Sequence, residues 1–159
     1  MQLVRVSPLT AEAFAPFGQV IQSAGREPDA GDPLSVEYFH HLADLQFNTQ
    51  PSLNILRVQP CELPLEIQQL ECLDSSHSII PLDGAGFLLA VAPAGEFDPQ
   101  QLRVFHVRCW QGVNCAPGVW HSPVWAWGRV GEFLTLHAHP QHSTREVRVL
   151  SSPYVVTRV

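Results

Sequence analysis

The residues best suited to chemistry lie between Gly112 and Leu136, where GVNCAPGVWHSPVWAWGRVGEFLTL runs from a Pro-Gly turn into Trp-His and then into an apolar strand pattern. Pro117 fixes φ, and Gly118 accepts the positive φ of a type II corner. That corner aims His121, whose imidazole suits either proton transfer or metal ligation. A buried histidine that packs and makes one hydrogen bond is the plainer alternative, since a PG-x-x-H string is only a hypothesis until its structural context is known. Beside the turn, Trp120 is a candidate substrate contact. The Asn114 amide suits either a hydrogen bond to substrate or a turn-stabilising role.

Composition limits what such a histidine can serve. The chain has 159 residues, 45% hydrophobic and 15% charged, which is enough for one well-buried core and is read as a single domain. All nine basic residues are arginine, so Schiff-base chemistry, a P-loop and any catalytic lysine are excluded. A formal net charge of -6 argues against nucleic acid, because phosphate binding needs a basic face. An anionic substrate then calls for a local arginine or protonated histidine. The beginning MQLVRVSPLT has no basic segment followed by an apolar core, and the apolar run from Gly86 to Pro93 is too short to span a bilayer. No membrane association is expected, and the location expected is the cytoplasm. The four cysteines form no C-x-x-C pair and are read as reduced.

The elements that position His121 read as strands. Short runs are expected at Val36 to His40, Leu53 to Gln59, Ile67 to Cys72, Ser78 to Leu82, Phe87 to Ala92, Leu102 to Val107, Val124 to Trp127, Phe133 to Ala138 and Val147 to Leu150. Pro, Gly, Asp and Ser clusters separate them, the pattern of a sandwich or barrel. Thr10 can cap a short helix over Ala11 to Phe17, and Asp98 can cap a single turn begun by Pro99. Ser23 to Leu34 reads as a mobile loop. The fold class expected is all-β: a barrel with one to three short helices.

The spacing of Gly112, Pro117, Gly118 and His121 resembles the second motif of cupins. The whole chain, in turn, resembles the ureidoglycolate lyase family. The resembling stretches, in order, are PLTAEAFAPFGQVI, YFHHLA, NILRVQP with LPLEI, IIPLDG, GVNCAPGVWHSPV and EFLTL. The resemblance implies a cupin-like jelly-roll barrel, a homodimer, and a role in allantoin and purine catabolism, splitting ureidoglycolate into glyoxylate and urea.

Ureidoglycolate is a carbinolamide bearing a carboxylate. Its elimination needs removal of the hydroxyl proton, protonation of the departing urea nitrogen and a clamp on the carboxylate. His121, His77 and His40 are the candidate catalytic histidines; His40 matches a family histidine and has an ordinary strand-end residue as its alternative. Arg57 is the candidate clamp, because a planar guanidinium matches a carboxylate bidentately. Alternation along Leu53, Ile55 and Arg57 is equally compatible with an exterior ion pair.

Departures from the family leave a second reading open. Glu71-Cys72-Leu73 stands where the family reads Arg-His-Pro, His77 replaces a family Gln, Asn114-Cys115-Ala116 stands where the family reads Asn-Tyr-His, and His137-Ala138 replaces an acidic-basic pair. The alternative is a divergent cupin that binds or transforms another small carboxylate. No cofactor is required by the chemistry above. A divalent metal remains open, with His77, His121, Cys72 and His137 as candidate ligands. Glu71 cannot easily join Cys72, since adjacent strand residues point to opposite faces.

Overall fold

Turn-forming clusters cut the chain into extended runs in the computed structural model, which describes residues 2–32, 35–139, 141 and 144–158; Gln2–Pro8, Gly18–Ile21 and Gly112–Cys115 are strands beyond those expected, and Arg145–Thr157 extends well beyond Val147 to Leu150. In order the elements are β1 (Gln2–Pro8), α1 (Ala11–Phe14), β2 (Gly18–Ile21), β3 (Ala30–Asp32), β4 (Val36–Tyr38), β5 (Pro51–Val58), β6 (Pro60–Cys61), β7 (Leu65–Leu73), β8 (His77–Pro81) and β9 (Gly86–Ala92). A 3-10 turn (Pro99–Gln101) leads to β10 (Arg103–Val107), β11 (Gly112–Cys115), β12 (Trp120–His121), β13 (Trp125–Trp127), β14 (Gly131–Ala138) and β15 (Arg145–Thr157). The all-β expectation holds. The helix is shorter than expected: Thr10 Oγ1 accepts from the Ala13 N–H as a cap, but Pro16 has no N–H to donate, and the Ala15 and Phe17 N–H groups turn to the Glu12 and Phe14 carbonyls in tighter i to i−3 bonds. Asp98 caps the 3-10 turn as expected. Ser23 to Leu34 is not simply a loop, because Ala30–Asp32 pairs antiparallel with β4; residues 33 and 34 lie outside the described residues.

Strand pairing creates two interiors. The larger sheet runs β10-β1-β15-β7-β12-β9-β13-β6, and β10 also pairs with β9, so β10, β1, β15, β7, β12 and β9 close into a ring. The second sheet runs β2-β11-β8-β14-β5 and lies against the β9, β10 and β13 side of the first. Alternation then divides the shared wall. Phe87, Leu89 and Val91 of β9 and Phe105 and Val107 of β10 face the second sheet, where they meet Ile79, Val113, Cys115 and Phe133. Ala90, Ala92 and Val104 face into the ring with Ile67, Leu70, Tyr154 and Val156. Each fully buried Phe, Leu or Ile contributes about 1.5–3 kcal/mol relative to exposure, so both interiors stabilise the same two strands.

Candidate active site

The turn that aims His121 has the expected geometry: the Val119 N–H donates to the Ala116 carbonyl at 3.2 Å, and Gly118 has φ of 80°. Beyond it, β12 places His121 opposite Glu71 of β7 and Val91 of β9, facing the interior between the two sheets. His77 enters that interior from the start of β8 and His137 from the end of β14. His121 is 2% exposed.

The three rings meet in sequence. His77 Nδ1 lies 3.0 Å from His121 Nε2, with ring centroids 4.7 Å apart at 87°. The rings of His77 and His137 are 5.1 Å apart. Hydrogen-bond partners assign the tautomers. Nδ1 of His121 faces the Val119 carbonyl at 3.2 Å and must carry its proton, so Nε2 of the neutral ring is bare and accepts from His77 Nδ1–H. His137 donates from Nδ1 to the Ala138 carbonyl at 2.8 Å and accepts at Nε2 from the Asn54 amide at 3.1 Å.

A carboxylate completes the cluster. Glu71 Oε1 is 3.6 Å from His121 Nε2, and Glu71 Oε2 is ion-paired with Arg145 Nε. Contact with His121 in its protonated form, and then the Arg145 ion pair, outweigh burial and hold the Glu71 carboxyl below its ordinary range. Burial first, then the neighbouring His121 and His137, pushes the His77 imidazole well below its ordinary range. His121 Nε2 is therefore flanked by a neutral imidazole and a carboxylate. It can take up a proton, and Glu71 would stabilise the imidazolium that results.

Other expected site residues lie elsewhere. Arg57 is on the outer face of β5, opposite Glu132 of β14, and its side chain is 72% exposed; Nη2 and Nε donate to Glu132 Oε1 at 2.6 and 2.9 Å. Asn114 is buried on the outer side of β11, not beside His121. Its Nδ2 donates to Gln19 Oε1 and the Asp44 carbonyl at 2.9 and 3.1 Å, and its Oδ1 accepts from Ser78 Oγ at 2.8 Å. Trp120 faces into the closed ring, with its indole N–H on the Gly95 carbonyl at 3.0 Å and its ring against Phe97. His40 is exposed after β4 and stacks on Tyr38. These placements put Arg57, Asn114, Trp120 and His40, expected as clamp, substrate contacts and catalytic histidine, away from the histidine cluster.

Cys72, a candidate ligand, also lies apart from the histidines. It alternates with Glu71, so its thiol turns away from the histidines and donates to Glu146 Oε2 at 3.6 Å; burial and that carboxylate push it up to about 11. Among the described residues no group of three or more His, Cys, Asp or Glu is arranged to hold a metal ion. The reason is local: both His137 nitrogens and Nδ1 of His121 are committed to hydrogen bonds, which leaves no three lone pairs converging on one point.

Glu71, Arg145 and Asn54 were not singled out by type or spacing. The opposition of Glu71 and Cys72 showed that one of the two must face inward. Which one depended on the β7–β12 register, a long-range property.

Comparison with known proteins bears on this arrangement. A family model described as "Ureidoglycolate lyase" matches residues 1–157. A ureidoglycolate lyase of Burkholderia mallei (strain NCTC 10229) is 38% identical over 140 residues, covering 86% of this chain and 82% of its own. One from Burkholderia cepacia is 38% identical over 151 residues, with 91% and 85% covered. One from Pseudomonas aeruginosa (strain UCBPP-PA14) is 38% identical over 142 residues, with 86% and 83% covered. Among solved structures, RmlC from Streptococcus suis in complex with dTDP-D-xylose aligns with a TM-score of 0.42 and 12% identity over 57% of this chain and 43% of its own. With its family pattern matched almost from end to end, the chain belongs to the ureidoglycolate lyase family.

Proposed function

We propose that the protein cleaves ureidoglycolate into glyoxylate and urea, with His121 as the group that moves the proton. The observation that carries this reading is the pairing of His121 Nε2 with Glu71 at 3.6 Å and His77 at 3.0 Å inside a family of lyases. His121 Nε2 takes the hydroxyl proton, and the electron pair forms the aldehyde C=O as the C–N bond breaks. The proton held by His121 passes to the urea nitrogen, so none is gained or lost overall. Arg145, 58% exposed and joined to Glu71 through Nε, offers its remaining guanidinium edge to the substrate carboxylate.

The test is glyoxylate release from ureidoglycolate, followed with a coupled reductase. Expected is turnover well above the spontaneous rate, a loss of about 10²–10⁴-fold in kcat for His121→Asn, and no dependence on added or removed divalent ions. Release no faster than the spontaneous reaction, or His121→Asn turnover within about twofold of the parent, a barrier change of only about 0.4 kcal/mol, sinks the assignment.

The same reading places the enzyme in allantoin and purine catabolism, in the cytoplasm, as a homodimer. No helix among the described residues is long and apolar enough to cross a membrane. An exposed apolar strip favours self-association: Leu53 and Ile55 are 65% and 62% exposed on edge strand β5, beside Leu134 and Leu136 of β14. Light scattering at micromolar concentration should give a dimer mass, and Ile55→Asp a monomer. A parent that scatters as a monomer refutes the dimer.

A further inference from the structure

The closed ring has an interior of its own, separated from the histidine cluster by the β9–β10 wall, and one end of it opens into a groove of about 420 Å³. Its floor follows from register. Leu88 of β9 pairs with His106 of β10, which pairs with Pro8 of β1, so these residues form one row on the ring side of the wall. Gly86 lies one step outward on β9, opposite Trp127 of β13. A Cβ at Gly86 would meet the Val107 carbonyl oxygen at 2.6 Å and His106 Nε2 at 3.4 Å. Without one, the rings of His106 and Trp127 approach to 5.6 Å. Arg158 lies over Trp127, with Cζ 5.8 Å from the ring centroid. Arg108 lines the same groove, and Leu63 supplies further apolar surface.

Charge makes this end unlike the rest of the molecule. The chain carries 15 acidic residues against nine arginines. The groove, in contrast, is lined by Arg108, Arg158 and His106 with no aspartate or glutamate among its described lining residues. Neither Arg108 nor Arg158 is in an ion pair among the described residues, whereas Arg57, Arg129 and Arg145 each hold a carboxylate. Glu62 belongs to an adjoining groove that shares Leu63, Trp127 and Arg158. An apolar concavity with a few convergent polar groups is the usual form of a small-molecule site, and the mouth of a β-barrel is a usual place for one.

We infer that this groove is a second ligand site, selective for a small carboxylate with an aromatic or branched apolar body. The carboxylate meets Arg108, Arg158 and His106, and the apolar body lies on Leu63, Leu88 and Trp127. A guanidinium pairs with a carboxylate more strongly than with a neutral amide, and the apolar surface separates such a ligand from a bare anion. Ureidoglycolate, which lacks an apolar body, is not the ligand this surface describes.

Phenylacetate is the probe, titrated by calorimetry and by the Trp127 indole N–H signal in ¹⁵N-labelled full-length protein, with phenylacetamide and acetate as controls. Expected is saturable binding of phenylacetate at millimolar concentration or tighter, with both controls at least about tenfold weaker. Arg108→Gln and Arg158→Gln, both at exposed positions, should each weaken phenylacetate by about fivefold or more while glyoxylate release stays at the parental rate. His121→Asn should leave phenylacetate affinity unchanged, which separates this site from the proposed lyase site. The inference is overturned by no saturable phenylacetate binding up to about 10 mM, by controls that bind equally well, by indifference to both arginine substitutions, or by loss of binding in His121→Asn.

Discussion

At the scale of single residues, the argument rests on which atoms hold protons. Glu71 is held below the ordinary carboxylate range by the protonated form of His121 and by Arg145, so its role in the proposed reaction is to stabilise that imidazolium when it forms during turnover. Glu71→Gln preserves shape and removes charge; kcat should fall by at least about tenfold with a smaller change in KM, because the carboxylate acts on His121 and is not the proposed substrate clamp. Equal kcat in the two proteins would leave Glu71 as a tether for Arg145. His77 makes stability depend on pH with the same sign as Glu71, but at higher pH. Its folded-state pKa lies below the unfolded value near 6.5, so the unfolded chain binds more protons across that interval. Its contribution is complete above the unfolded value and drains as pH falls, by at most about 1.4 kcal/mol per pH unit for one proton. Glu71, with its pKa depressed, loses its contribution only at lower pH, below the ordinary carboxylate range. The melting temperature should therefore decline between pH 7 and 5, and His77→Gln should flatten that segment while keeping the steeper loss at lower pH. A parental profile that is flat from pH 7 to 5 would show that His77 is not buried as a neutral imidazole.

At the scale of elements, the turn before β12 is what turns a sequence into a site. Gly118 at φ of 80° also has an ideal Cβ position 3.2 Å from the Ala94 Cβ, so a side chain there meets both strain and crowding. Gly118→Ala should cost about 1–2 kcal/mol, a fall of about 2–8 °C in melting temperature for a chain of this size. Since His121 lies just beyond, kcat should drop with it. Unchanged melting and turnover would mean that the turn does not aim the histidine. This corner was legible because Pro and Gly carry conformational rules that act locally. Runs such as Leu53 to Gln59 and Phe133 to Ala138 were legible for the same kind of reason, and both became strands close to their expected limits. Two-residue β12 and four-residue β11 are too short to show a period, and were found as a motif and not as strands. What alternation could not supply is which face points inward. It grouped Leu53, Ile55 and Arg57 correctly, but register with β14 put them outside. It opposed Glu71 to Cys72 correctly, but register with β12 chose Glu71. Trp120 and Asn114 lie away from the histidines for a related reason: both are buried, but burial in a ring interior or under a covering loop differs from burial in a pocket.

At the scale of the whole molecule, β9 and β10 are the wall of two interiors, and that sharing predicts how the protein unfolds. Phe105 faces the sandwich interior, with ring centroids 5.6 Å from Phe14 and 5.9 Å from Phe17. Val104, its neighbour, faces the ring. Three of the four tryptophans, Trp120, Trp125 and Trp127, are on the ring side, so intrinsic fluorescence reports mainly on the interior that Phe105 does not touch. Phe105→Ala should cost about 3–5 kcal/mol by transfer and cavity formation, and Ile67→Ala, inside the ring, about 2–5 kcal/mol. If the wall makes one cooperative unit, tryptophan fluorescence and far-ultraviolet circular dichroism will shift to the same lower midpoint in both variants. Neither interior can lose its packing without releasing the strands that close the other. A Phe105→Ala protein whose fluorescence midpoint stays at the parental value while the dichroism midpoint falls would mean that the ring survives alone. The groove between Trp127 and Arg158 would then be a site on an independently stable barrel, insulated from the histidines behind it.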